Sequence, residues 1–151
     1  MISQSDPVRI FVGHFWQTDE DYLRVFEYLE SAKNFYYANS SRPEPRPDGG
    51  REPEREELRR QIGPAEAVIL VASHHRRAPE LIEFQARFAK AAKKPVILMM
   101  SFGGTSVIAR DLQLLADTTI DWSERALTQA LRRYARKEDT PRWDTIDFKL
   151  D

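Results

Sequence analysis

The chain of 151 residues contains no cysteine, which removes disulfides, thiolate nucleophiles and cysteine-based metal sites together. Long apolar runs are missing as well. Nowhere do the roughly 18 consecutive apolar residues of a membrane span occur, and "MISQSDPVRIFVG" has no basic region followed by a signal-like apolar core. Neither sign of charge is in excess, the formal net charge being -1. That argues against acidic disorder and against the basic face of a nucleic-acid binder. These absences lead to the expectation of a cytoplasmic globular domain with neither nucleic acid nor a membrane as partner.

Familiar catalytic motifs are absent too. No Walker-type loop occurs, because "SFGGTS" lacks the lysine and the spacing such a loop needs. The third expected strand ends in "VASHH" rather than in the aspartate of a phosphoacceptor, and no GxSxG elbow is present. The three histidines, His14, His74 and His75, have no carboxylates at ligand spacing, so no metal is expected and the histidines read as loop residues at strand ends.

Elements of both periodicities are present. "VRIFVG" (8–13), "AVILVAS" (67–73) and "KKPVILMM" (93–100) are short, largely apolar runs of the kind buried strands show. "NFYYANS" and "TTIDW" are weaker strands. "TDEDYLRVFEYLESA" has Thr18 as N-cap and Tyr22, Val25, Phe26 and Leu29 at helical spacing. A long Pro-rich loop covers Ser41 to Pro53, holding four of the nine prolines, and a short charged helix, "EREELRRQI", follows it. Pro79 opens a helix to about Ala92, with Leu81, Ile82, Gln85, Phe88, Ala89 and Ala92 on its inner face. "VIARDLQLLAD" is a short helix, and "SERALTQALRRYARK", capped by Ser123, is the last. The tail 137–151 carries Trp143, Ile146 and Phe148 and is expected to dock on the domain.

Strands alternating with helices predict a parallel sheet of five strands covered on both faces. In such sheets ligands bind beyond the carboxyl ends of the strands. That end gathers "GHFWQTD", the Pro-rich loop, "SHHRRAP", "SFGGTS" and the start of the helix bearing Gln85.

Three blocks carry a resemblance. "RIFVGHFWQTDEDYLRVFEYL", with Phe11, Gly13, His14, Trp16, Asp19 and Tyr22, resembles the opening of bacterial and archaeal stand-alone TIR-like domains. "VILVASHHRRAPELIEFQARFAKAAKKPVILM" is similar to their central stretch, in which a Trp-Ile-x-Tyr-Glu helix precedes a Lys-Pro strand. "IDWSERALTQALR" is similar to their closing strand and helix. The resemblance implies a flavodoxin-like three-layer domain over 1–136. It implies cleavage of NAD, a substrate and not a cofactor, as a glycohydrolase or cyclase of the Thoeris anti-phage type, whose ADP-ribose-derived product a separate effector reads. It implies self-association as well. Residues carried over to the nucleotide site are His14, Phe15, Trp16, Asp19, Ser41, Arg42, Pro43, Ser73, His74, Leu81 and Phe84. Arg42, Arg46, Arg76 and Arg77 could meet a phosphate, but a solvated loop arginine is the commoner case.

The family's glutamate, suited to an oxocarbenium-like transition state, falls on Gln85. Glu83 does not replace it, because two residues along a helix turn the side chain by roughly 200°. Gln85 is then a silencing substitution, the natural residue of a domain that only binds or assembles, or a buried amide in a different register. A nucleoside deoxyribosyltransferase-like enzyme, which also uses a helix-borne glutamate, is a further alternative.

Overall fold

The computed structural model describes residues 1–102 and 108–138. Most of "SFGGTS", and the tail beyond 138 with its expected docking, lie outside the described residues. Five parallel strands form the sheet: β1 (Val8–Val12), β2 (Tyr37–Asn39), β3 (Ala67–Val71), β4 (Val96–Met99) and β5 (Thr118–Ile120), in the order β2-β1-β3-β4-β5. Helices α1 (Glu20–Ser31), α2 (Arg51–Ile62), α3 (Ala72–Arg77), α4 (Pro79–Ala91), α5 (Arg110–Leu115) and α6 (Glu124–Ala130) connect them. The result is an α/β, flavodoxin-like three-layer fold.

Strand periodicity divides the core in two. Ile10, Val12, Ile69, Val71, Ile97 and Met99 point to one face, where Val25 and Leu29 of α1 and Leu127 and Ala130 of α6 cover them. Phe11, Val68, Leu70, Val96 and Leu98 point to the other face, under Leu58 and Ile62 of α2 and Ile82, Ala86 and Ala89 of α4. Both faces of the central strands are therefore dry, which is why they carry no alternation of polar residues.

Several boundaries differ from the sequence reading. The N-cap of α1 is Asp19, not Thr18: its carboxylate accepts the Tyr22 N–H at 3.1 Å. Helix α2 starts at Arg51, so the last three residues of the expected loop belong to it. Pro53 falls in its first turn, where a missing N–H breaks no helical bond. His74 and His75 are not loop residues, since α3 follows β3 without a loop and both side chains are buried. On α4, Ala92 is exposed and Ala86 takes its place on the inner face. Ser123 caps α6 as expected, and the chain then widens into a π-helical turn, Leu131–Ala135.

Among the described residues no helix is long and apolar enough to cross a membrane.

Candidate functional site

Strand β1 has neighbours on both sides, and the chain leaves it towards β2 before returning to β3, so the topological switch lies between β1 and β3. Past that point β1 continues as Gly13 and His14. Gly13 N–H still donates to the Ile69 carbonyl at 2.8 Å, but His14 has no strand partner. The primary amide of Gln85 supplies one. His14 N–H donates to Gln85 Oε1 at 3.2 Å, and Gln85 Nε2 donates to the His14 carbonyl at 2.8 Å. Gln85, fully buried on α4, thus extends the ladder as a peptide group would, and neither end of its amide is free.

A second glutamine does the same for the Pro-rich loop. Gln61 on α2 accepts the Arg42 N–H at 2.8 Å and donates to the Arg42 carbonyl at 3.0 Å. The His14 ring joins the two clamps. Its Nδ1 accepts the Trp16 N–H at 3.2 Å, and its Nε2 lies 3.0 Å from Gln61 Oε1. An N–H on one side and a carbonyl oxygen on the other assign the neutral ring with its proton on Nε2. Burial, chiefly, lowers the His14 pKa from its ordinary 6.5 to about 4, opposed by the Gln61 hydrogen bond and the Glu57 charge and aided by His74.

Gly13 is required by this close approach. A Cβ there would stand 2.5 Å from Leu70 Cδ2 and 3.0 Å from Gln85 Oε1. Gly13→Ala is expected to cost about 1–3 kcal/mol in urea denaturation, since Leu70 is itself fully buried and cannot step aside freely. A change within 0.5 kcal/mol, roughly the scatter of neutral surface substitutions, would show that Gln85 and Leu70 move at no cost.

The loop beyond His14 opens a cavity of about 630 Å³, within the usual range for small-molecule sites. Phe15, Trp16, Leu81 and Phe84 form its apolar walls, and Arg46, Arg51, Glu54, Arg55 and Glu80 its polar rim. Trp16 is only 6% exposed and has φ of +67°, a conformation that costs a bulky residue about 1–3 kcal/mol. Its indole N–H is buried without a hydrogen-bond partner, a further expense of about 1–3 kcal/mol. Arg46 pairs with the buried Glu54 at 2.7 Å, Arg51 with the exposed Glu80 at 3.4 Å, and Arg55 lies 5.1 Å from the Phe84 ring centroid.

Of the residues carried over from the resemblance, Phe15, Trp16, Leu81 and Phe84 therefore share one cavity, with His14 and Gln85 packed beneath the loop that shapes it. Asp19 and Ser73 line a separate cavity of about 350 Å³ with Glu20, Asp21 and Arg77. There His74 Nε2 lies 3.0 Å from both Asp19 oxygens, and Ser73 donates to Asp21 at 2.6 Å. Burial raises the Asp19 pKa, but the His74 hydrogen bond and charge and the Tyr22 N–H outweigh it and hold the carboxyl below its ordinary value. Ser41 is spent on Tyr22 and Asn39, while Arg42 is held through its backbone. Glu83 faces away from Gln85 and binds His75 at 2.8 Å and Arg87 at 3.3 Å.

Sequence reasoning missed Gln61, Arg51, Arg55 and Glu80. Local spacing carries no sign of Gln61, whose partners are 19 and 47 positions away. The two arginines were discoverable as cations at the start of a helix that itself begins earlier than expected.

Among the described residues no group of three or more His, Asp or Glu is placed to hold a metal ion. No family model and no curated protein matches the chain.

Proposed function

We propose that the protein is a TIR-like domain that holds NAD or a related nucleotide in the crevice beyond β1 and does not break its bond to nicotinamide. The observation that carries this reading is the state of Gln85. The residue aligned with the family's glutamate is an amide, fully buried, with donor and acceptor both engaged by the His14 backbone. A group so placed has no charge to offer a ribosyl cation and no free atom to orient a nucleophile. The neighbouring carboxylate, Glu83, is committed to His75 and Arg87.

Binding needs less than cleavage. Aromatic and aliphatic walls beside three guanidinium groups suit a ligand that combines a flat ring with phosphate. On this reading the domain senses or sequesters a nucleotide in a defence pathway, in place of making a signal for a separate effector. The deoxyribosyltransferase alternative loses ground on the same observation, because it too needs a free carboxylate on α4. The test is saturable NAD binding with nicotinamide followed in the same sample.

A further inference from the structure

The large cavity adjoins a second one of about 430 Å³, because Arg51, Arg55, Glu80 and Phe84 line both. Together they form a cleft along α2 and α4. Phe15 and Leu81 wall its inner end, and Glu83 and Arg87 flank its outer end, so the cleft runs from apolar to charged surroundings. Most arginines beside it are matched by carboxylates: Arg46 by Glu54 at 2.7 Å, Arg51 by Glu80 at 3.4 Å, Arg59 by Glu52 at 3.3 Å and Arg87 by Glu83 at 3.3 Å. Among the described residues Arg55 has no such partner. Its guanidinium lies 5.1 Å from the centroid of the Phe84 ring, and both residues are half-buried. An aromatic face orients a cation without cancelling its charge. Arg55 thus gives up water on one side and stays uncompensated where the two cavities meet.

We propose that Arg55 is the anion contact of this cleft, and that it takes the diphosphate of a ligand whose planar end lies inward against Phe15 and Leu81. The guanidinium fork matches phosphate oxygens two at a time. Arg51 stands one helical turn earlier on the same face of α2, so two linked phosphates meet two adjacent cations. Its own partner, Glu80, is exposed and its contact long, so that pairing gives way with little loss. Arg46 is not available in this way, because the buried Glu54 holds it closely. The inward placement of the planar end rests on the nucleotide reading above, whereas the anion contact does not.

The experiment titrates inorganic pyrophosphate and NAD separately into the full chain, Arg55→Met and Arg59→Met by calorimetry at low ionic strength. Methionine keeps an apolar stem over Phe84 and the helix-forming tendency of arginine, so both variants are expected to fold. Arg59 is the control, since it lies over the same ring at 5.4 Å but pairs with Glu52 and lines neither cavity. Pyrophosphate is expected to bind the parent and to compete with NAD. Arg55→Met should weaken both by about tenfold or more, the loss of one charge-assisted contact, while Arg59→Met leaves both within about twofold. NAD that binds Arg55→Met as it binds the parent overturns the inference and spares the nucleotide reading. Pyrophosphate binding that responds to Arg55→Met, with no NAD binding, supports the contact and overturns that reading. Equal losses in the two variants assign the effect to packing on Phe84 and overturn the inference, as does a parent chain that binds no pyrophosphate at millimolar concentration.

Discussion

Gln85→Glu is expected to destabilise the protein by about 3–5 kcal/mol at pH 8, the cost of a buried charge whose partners do not match it. In a domain of this size that is on the order of 10 °C in the melting temperature. A carboxylate can still accept the His14 N–H, but it cannot donate to the His14 carbonyl, which would then face a negative oxygen in place of an amide. The sign with pH follows. Burial raises the introduced carboxyl's folded pKa above its unfolded value, so the penalty is small below the unfolded pKa of about 4.3. It grows as pH rises through the folded pKa, because the unfolded chain ionises freely and the folded one does not. The difference between the two proteins in urea denaturation should therefore narrow as pH falls from 8 to 4. A variant as stable as the parent at pH 8 would show that position 85 is built to hold an ionised acid, as the catalytic reading requires.

The parent chain should itself lose stability in acid, and early. His14 keeps its neutral form to about pH 4 when folded, while an unfolded histidine protonates near pH 6.5. The folded pKa lies below the unfolded one, so the contribution is complete above 6.5 and is lost as pH falls from 6.5 to 4. Over that window the unfolded state binds a proton that the folded state refuses. At about 1.4 kcal/mol per pKa unit the loss is about 3 kcal/mol, and it levels off below pH 4. The structural reason is that Nδ1 already accepts the Trp16 N–H, so a second ring proton would meet a donor. Urea denaturation between pH 7 and 4 measures the slope, and nitrogen chemical shifts of the His14 ring measure its origin. A flat profile, or a ring that titrates near 6.5 in the folded protein, would remove the neutral imidazole from the junction of the two clamps.

What was legible in the sequence lay within single elements. The apolar runs ending at Val71 and Met99 announced strands dry on both faces, and the spacing of Tyr22, Val25 and Leu29 announced the face α1 buries. Helical rotation alone separated Glu83 from Gln85. What stayed hidden depended on contacts between elements. Helix α3 could not be read from "SHHRR", because its histidines are buried against Asp19, the N-cap of α1, and Glu83 of α4. The role of Gln85 was hidden for the same reason. Its partner is 71 positions away, and only the structure shows that a side-chain amide pairs with the His14 backbone past the end of β1.

On the proposed reading, the crevice beyond β1 binds a nucleotide and leaves it intact. Calorimetric titration of NAD into the purified chain, with nicotinamide assayed in the recovered sample, tests it most directly. Saturable binding at one site per chain is expected, with no release of nicotinamide after prolonged incubation at high protein concentration. Catalytic release of nicotinamide, or the absence of any binding, would contradict it.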